Sequence, residues 1–134
     1  MVDALRRAHR LVKPDGFVID LHPPAAEASV EVGQTVAGHV EAADAKLRHA
    51  AAGVALATIV NEGLFAIEET TTFTFCTYAD TSEELRDYIE ENWRDSRIDQ
   101  PTVDRAREAL CHARGARPRT HEEVHVTRLR PLYP

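Results

Sequence analysis

The sequence predicts a mixed fold of α/β or α+β type, with helices laid against a sheet. Three stretches carry that expectation. Residues 2–21 read as an amphipathic helix, a tight turn and an apolar run. Residues 43–62 are alanine-rich at helical spacing, and alternation follows at 64–79. Two further helical segments then precede a last alternating run near the carboxyl end. Periods of 3.6 and 2 residues that alternate along one chain are the mark of a mixed class.

In the opening helix, Leu5, Ala8, Leu11 and Val12 share one face, with Arg6, Arg7 and Arg10 largely opposite. Pro14-Asp15-Gly16 stops it: proline disfavours helix at Lys13, and glycine accepts positive φ. Phe17-Val18-Ile19-Asp20-Leu21 is nearly all apolar, the pattern of a strand buried on both faces. Pro23-Pro24 end it, because neither donates to a ladder. Gly33-Gln34, between the runs 29–32 and 35–41, predicts a two-residue hairpin of type II′. Val30, Val32, Val36 and Val40 define its buried face, and Gly38 marks a bulge.

The helix over 43–62 has Asp44 near its start. Its stripe is Leu47, Ala51, Val54, Thr58 and Asn61, broadened by Ala50, Leu56, Ala57, Ile59 and Val60. Gly63 suits the left-handed residue after a helix end. In the strand 64–79, Phe65, Ile67, Phe73 and Phe75 share a face, with Glu68, Thr70, Thr72 and Thr74 opposite. Glu69 and Thr71 interrupt the apolar face, which predicts a bend or an exposed middle. Thr81 and Glu84 form a capping box for a helix through Leu85, Tyr88, Ile89 and Trp93. Gln100-Pro101 start another helix, lined by Val103, Ala106, Ala109, Leu110 and Ala113. Residues 114–120 read as a basic loop, and 122–130 as a strand stopped by Pro131.

At 134 residues the chain is long enough for one domain with a real core. A net charge of −6 argues against a nucleic-acid binder. No run approaches the roughly 18 apolar residues of a membrane span. Residues 1–13 are amphipathic, unlike a signal segment, so a cytoplasmic location is expected. Cys76 and Cys111 are too few for a disulfide framework.

The segment Ala4-Leu5-x-x-Ala8-His9-Arg10-Leu11-Val12-Lys13-Pro14-Asp15-Gly16 resembles one motif of a known family. It is similar to the A-x-R-x-L-K-P-G-G segment of class I S-adenosylmethionine-dependent methyltransferases, with Asp15 where the family usually has glycine. The resemblance implies part of a three-layer sheet. Residues 17–21 would be its fifth strand, the helix 43–62 the crossover, and 64–79 the sixth strand. Residues 122–130 would be the seventh, antiparallel beside the fifth. The hairpin 28–41 and the helices within 82–113 would be additions.

Such enzymes hold S-adenosylmethionine on a glycine-rich turn after the first strand. Here no two of the six glycines lie two residues apart, so no G-x-G-x-G occurs. The expectation is a truncated methyltransferase-like domain that keeps the carboxyl-terminal half. It would bind no cofactor alone, and a small-molecule acceptor only if the missing half is supplied. Either the gene starts upstream or the short form is a folded remnant. Loss of the fourth strand would bare one edge of the opening strand, to be covered by the hairpin or by a second copy. The alternative function is thus a non-catalytic interaction module, homodimeric through a sheet edge.

Within the resemblance, His22 stands at the carboxyl end of the opening strand, where open α/β sheets place ligands. Asp20 lies two residues before it. The two are the pocket candidates, with His22 as a base. No other catalytic residue and no cofactor-binding residue is assigned. Cys111-His112 with His121-x-x-x-His125 could be read as metal ligands, but adjacent Cys111 and His112 on a helix point in different directions and His125 falls in a strand, so no metal is expected.

Overall fold

A computed structural model describes residues 1–134. Eleven elements follow in order. They are α1 Val2–Leu11, β1 Val18–His22, β2 Ser29–Val32, β3 Thr35–His39, β4 Glu41–Ala42 and α2 Ala45–Asn61. After these come β5 Phe65–Tyr78, α3 Ser82–Asn92, β6 Ser96–Arg97, α4 Gln100–His112 and β7 Pro118–Pro131. The mixed class is as expected; the short pair β4–β6 was not foreseen. Contacts divide the chain into two units. The first holds 1–25, 47–73 and 124–134; the second holds 26–46 and 74–123, so β5 and β7 contribute to both.

In the first unit β1 pairs antiparallel with β7, Val18 opposite Leu129 and His22 opposite His125. This is the pairing expected of the opening and closing strands. β7 also pairs with β5. Leu132 donates to the Leu64 carbonyl at 2.8 Å at one end of that ladder, and Ala79 to Pro118 at 3.1 Å at the other, so it is antiparallel. Leu5 of α1, Leu56 and Ile59 of α2, Phe65 and Leu129 make the core, with Val18 against it. Apolar burial of this kind is the main favourable term, about 1.5–3 kcal/mol for each large side chain.

β1 departs from expectation. Phe17, Ile19 and Leu21 are exposed, because helices cover only the Val18 side. β1 also has a strand neighbour on one side only. The hairpin does not cover its free edge; β2 pairs with the other end of β7 instead. In each unit helices pack against the strands.

α1 ends at Val12, which is extended and donates to the Ala8 carbonyl at 2.9 Å. Gly16 does not use a positive φ, contrary to expectation. Space is what demands glycine there: a Cβ would lie 2.9 Å from Val12 Cγ2 and 3.2 Å from the Lys13 carbonyl. The Tyr133 hydroxyl sits 2.5 Å from the Val12 carbonyl and 2.9 Å from that of His9. His9 Nε2 donates to the Leu132 carbonyl at 2.8 Å, and its ring meets Phe65 edge-on.

The face of α2 is also corrected. Ala52, Ala55, Leu56 and Ile59 are buried, while Leu47, Ala51 and Val54 are exposed. A helix that is apolar nearly all round offers no periodic signal to choose its face. It closes in the Schellman pattern. Gly63, at φ 73°, donates to Val60 at 3.0 Å, and Leu64 donates to Ile59 at 3.2 Å. Beyond Phe65, β5 is exposed from 67 to 75, which is the exposed middle expected of it.

In the second unit β2 lies between β3 and β7. Gly33, at φ 59°, and Gln34, whose φ is not positive, make the expected type II′ turn. The ladder shifts register so that Val30 faces Gly38 while Glu31 faces Val36. The two-residue turn already pairs Val36 with Glu31 on the exposed side, so Ala37 is buried in its place, and the bulge shifts the strand only beyond Val36. Gly38 is needed for close approach, since a Cβ would lie 2.3 Å from Thr102 Oγ1 on α4. The core joins Val30, Val32, Leu85, Ile89, Val103 and Ala106.

Thr81 caps α3 by accepting from the Glu84 N–H at 3.1 Å. Asp99, not anticipated, caps α4 by accepting from Thr102 at 2.9 Å. The basic stretch is strand from Pro118 onward, not loop to residue 120, because Pro118 and Thr120 pair with Val32 and Val30 and face the core. Proline is tolerated there as the first residue of the strand.

Candidate functional site

Alternation along β1 puts Asp20 and His22 on the same face. It is the face of Val18, turned toward α1 and α2. Asp20 is opposite Thr127 and His22 opposite His125 on β7. His22 Nδ1 and Asp20 Oδ2 are 2.6 Å apart, with 16% and 9% of the two side chains exposed. The His22 and His125 rings are stacked, with centroids 6.0 Å apart and planes 23° from parallel. Thr127 is buried beside them. The chain leaving β1 is held by α2, where His49 Nδ1 donates to the Pro24 carbonyl at 3.1 Å.

The arrangement decides the tautomer. A carboxylate accepts only, so Nδ1 of His22 carries the hydrogen that binds Asp20. Nε2 of the neutral ring is left as a hydrogen-bond acceptor. Sequence spacing could pair Asp20 with His22. It could not find His125, because only the β1–β7 register brings that residue alongside.

Glu31 accepts from the Ser29 hydroxyl at 2.5 Å and lies 3.0 Å from Arg119 and 3.3 Å from His121. Burial opposes its charge, but these donors outweigh it and hold the carboxyl below the usual glutamate range. Burial alone pushes Glu122 upward. Cys111 is exposed and donates to the Arg107 carbonyl, and Cys76 is half-buried in β5. No three His, Cys, Asp or Glu side chains are placed to hold a metal ion. A groove of about 360 Å³ runs between β3 and α4, and there Arg105 Nε donates to the Ala37 carbonyl at 2.6 Å.

The three glycines with positive φ are a hairpin turn at Gly33 and the ends of helices at Gly63 and Gly115. None of these three forms a turn from a strand into a helix N-terminus. No helix is long and apolar enough to cross a membrane. Among the family models, curated proteins and solved structures compared with this chain, none matches it.

Proposed function

We propose that the chain is a methyltransferase-like domain, related to S-adenosylmethionine-dependent small-molecule methyltransferases and unable to hold the cofactor by itself. The observation that carries the reading is the 2.6 Å Asp20–His22 pair at the carboxyl end of β1. The motif at 4–16 and the antiparallel placement of β7 beside β1 agree with it. In this reading His22 Nε2 removes a proton from the hydroxyl or amine of a small acceptor. Asp20 holds the ring and offsets the charge it gains. Isothermal titration of S-adenosylmethionine into the chain is expected to give no heat. Binding at micromolar concentration would overturn this part of the reading.

A second reading has its own support. Phe17, Ile19 and Leu21 are exposed on a strand with one neighbour. An apolar edge left open is a template for another strand. In this reading the chain is a non-catalytic interaction module that self-associates through a sheet edge. Sedimentation at low micromolar concentration is expected to show a dimer, and a clean monomer removes the reading.

A further inference from the structure

In the five-stranded sheet three strands have a free edge: β1, β3 and β5 each hydrogen-bond a neighbour on one side only. Two of them are blunted. β1 has five residues and lies between Pro14 and Pro23-Pro24, which cannot extend a ladder. β3 carries the bulge, and Arg105 occupies its Ala37 carbonyl. β5 is flanked by no proline, and its register against β7 shifts by one residue between the Leu64–Leu132 and Ala79–Pro118 hydrogen bonds. It is 14 residues long, contains no proline, lysine or arginine, and is exposed at every position from 67 to 75. Ile67 and Phe73 are 49% and 46% exposed. The run Thr70-Thr71-Thr72-Phe73-Thr74-Phe75 is uncharged and rich in residues that favour strands. An edge of that composition is covered in a stable protein or it aggregates.

We propose that β5 pairs antiparallel with β5 of a second copy, across a twofold axis at Thr70. The inference rests on the second reading above and names the strand that carries it. The register follows from charge. With Thr70 on the axis, Ile67 faces Phe73 of the other copy, Glu68 faces Thr72 and Glu69 faces Thr71. Every carboxylate meets a hydroxyl, and the large apolar side chains meet each other. With Glu69 or Glu68 on the axis, two carboxylates stand directly opposite, which is destabilising. With Thr71 on the axis, Glu69 lies against Phe73. Glu68 is already tied to Arg128 and Arg130, 3.2 Å from each, so its charge stays compensated. All residues used, 67–73, belong to the first unit. The occupant is a second copy because the pattern is complementary to itself.

The test combines sedimentation with cysteine cross-linking, in a background with Cys76→Ser and Cys111→Ser. The parent is expected to sediment as a dimer, and Thr70→Lys to raise its dissociation constant by about tenfold or more with an unchanged circular dichroism spectrum. Thr70→Cys is expected to cross-link with itself under mild oxidation, as directly opposite strand residues can. Glu68→Cys is expected to cross-link with Thr72→Cys in a mixture, and Thr72→Cys not with itself. A dimer broken by Ile19→Lys and not by Thr70→Lys overturns β5 while leaving the sheet-edge reading in place. A dimer that cross-links through Thr72→Cys alone overturns the register. A parent that stays monomeric overturns both.

Discussion

Glu31 shows how one side chain couples a strand pair to pH. Its carboxylate is fixed by Ser29, Arg119 and His121, on β2 and β7. The fold lowers its proton affinity despite partial burial. A carboxyl depressed in the folded state contributes stability above its unfolded value, and that contribution is lost as pH falls through the folded value. Glu31→Gln is therefore expected to cost on the order of 1 kcal/mol at pH 7. The gap to the parent should narrow as pH drops below about 4. Urea unfolding at the two pH values measures both, and a gap that widens in acid would refute the assignment. The same scale shows what spacing can reveal. Asp20 and His22 were legible as a pair because two residues apart on a strand means one face. His125 was not, because a register between residues over a hundred positions apart leaves no local trace.

Among the elements, α2 shows where periodicity fails. Alanine and branched aliphatic residues surround it, so several stripes fit equally well in sequence. The packed one runs through Ala52, Leu56 and Ile59, and the stripe of Leu47 and Val54 faces out. Ile59→Ala is expected to cost about 2–5 kcal/mol, whereas Val54→Ala should change stability by less than about 0.5 kcal/mol. Chemical denaturation of the two variants checks this, and comparable losses would restore the other face. Turns and caps were more legible than faces. Gly33-Gln34, Thr81 with Glu84, and Gly63 each act through local backbone chemistry. β1 misled for a related reason: an unbroken apolar run reports residue type, not the number of neighbours. The hairpin face differs at Val36 because a two-residue turn pairs that residue with Glu31 and not with Val30 or Val32.

At the scale of the whole molecule, the mixed class of fold was readable, because helical and strand periods alternate along the chain. Self-association through β5 adds an expectation that belongs only at this scale. A protein stabilised by pairing melts at a temperature that rises with its concentration. Calorimetric scans over a hundredfold range of protein are expected to show that rise for the parent and to lose it for Thr70→Lys. A melting temperature independent of concentration in the parent counts against the pairing.

The Tyr133 hydroxyl, shared between the carbonyls of His9 and Val12, has a practical result. It fastens the tail to the end of α1, so the first and last segments of the chain guard one another from proteases. Trimming the final two residues would leave those carbonyls without their donor and invite digestion at Lys13, some 120 positions away in the chain.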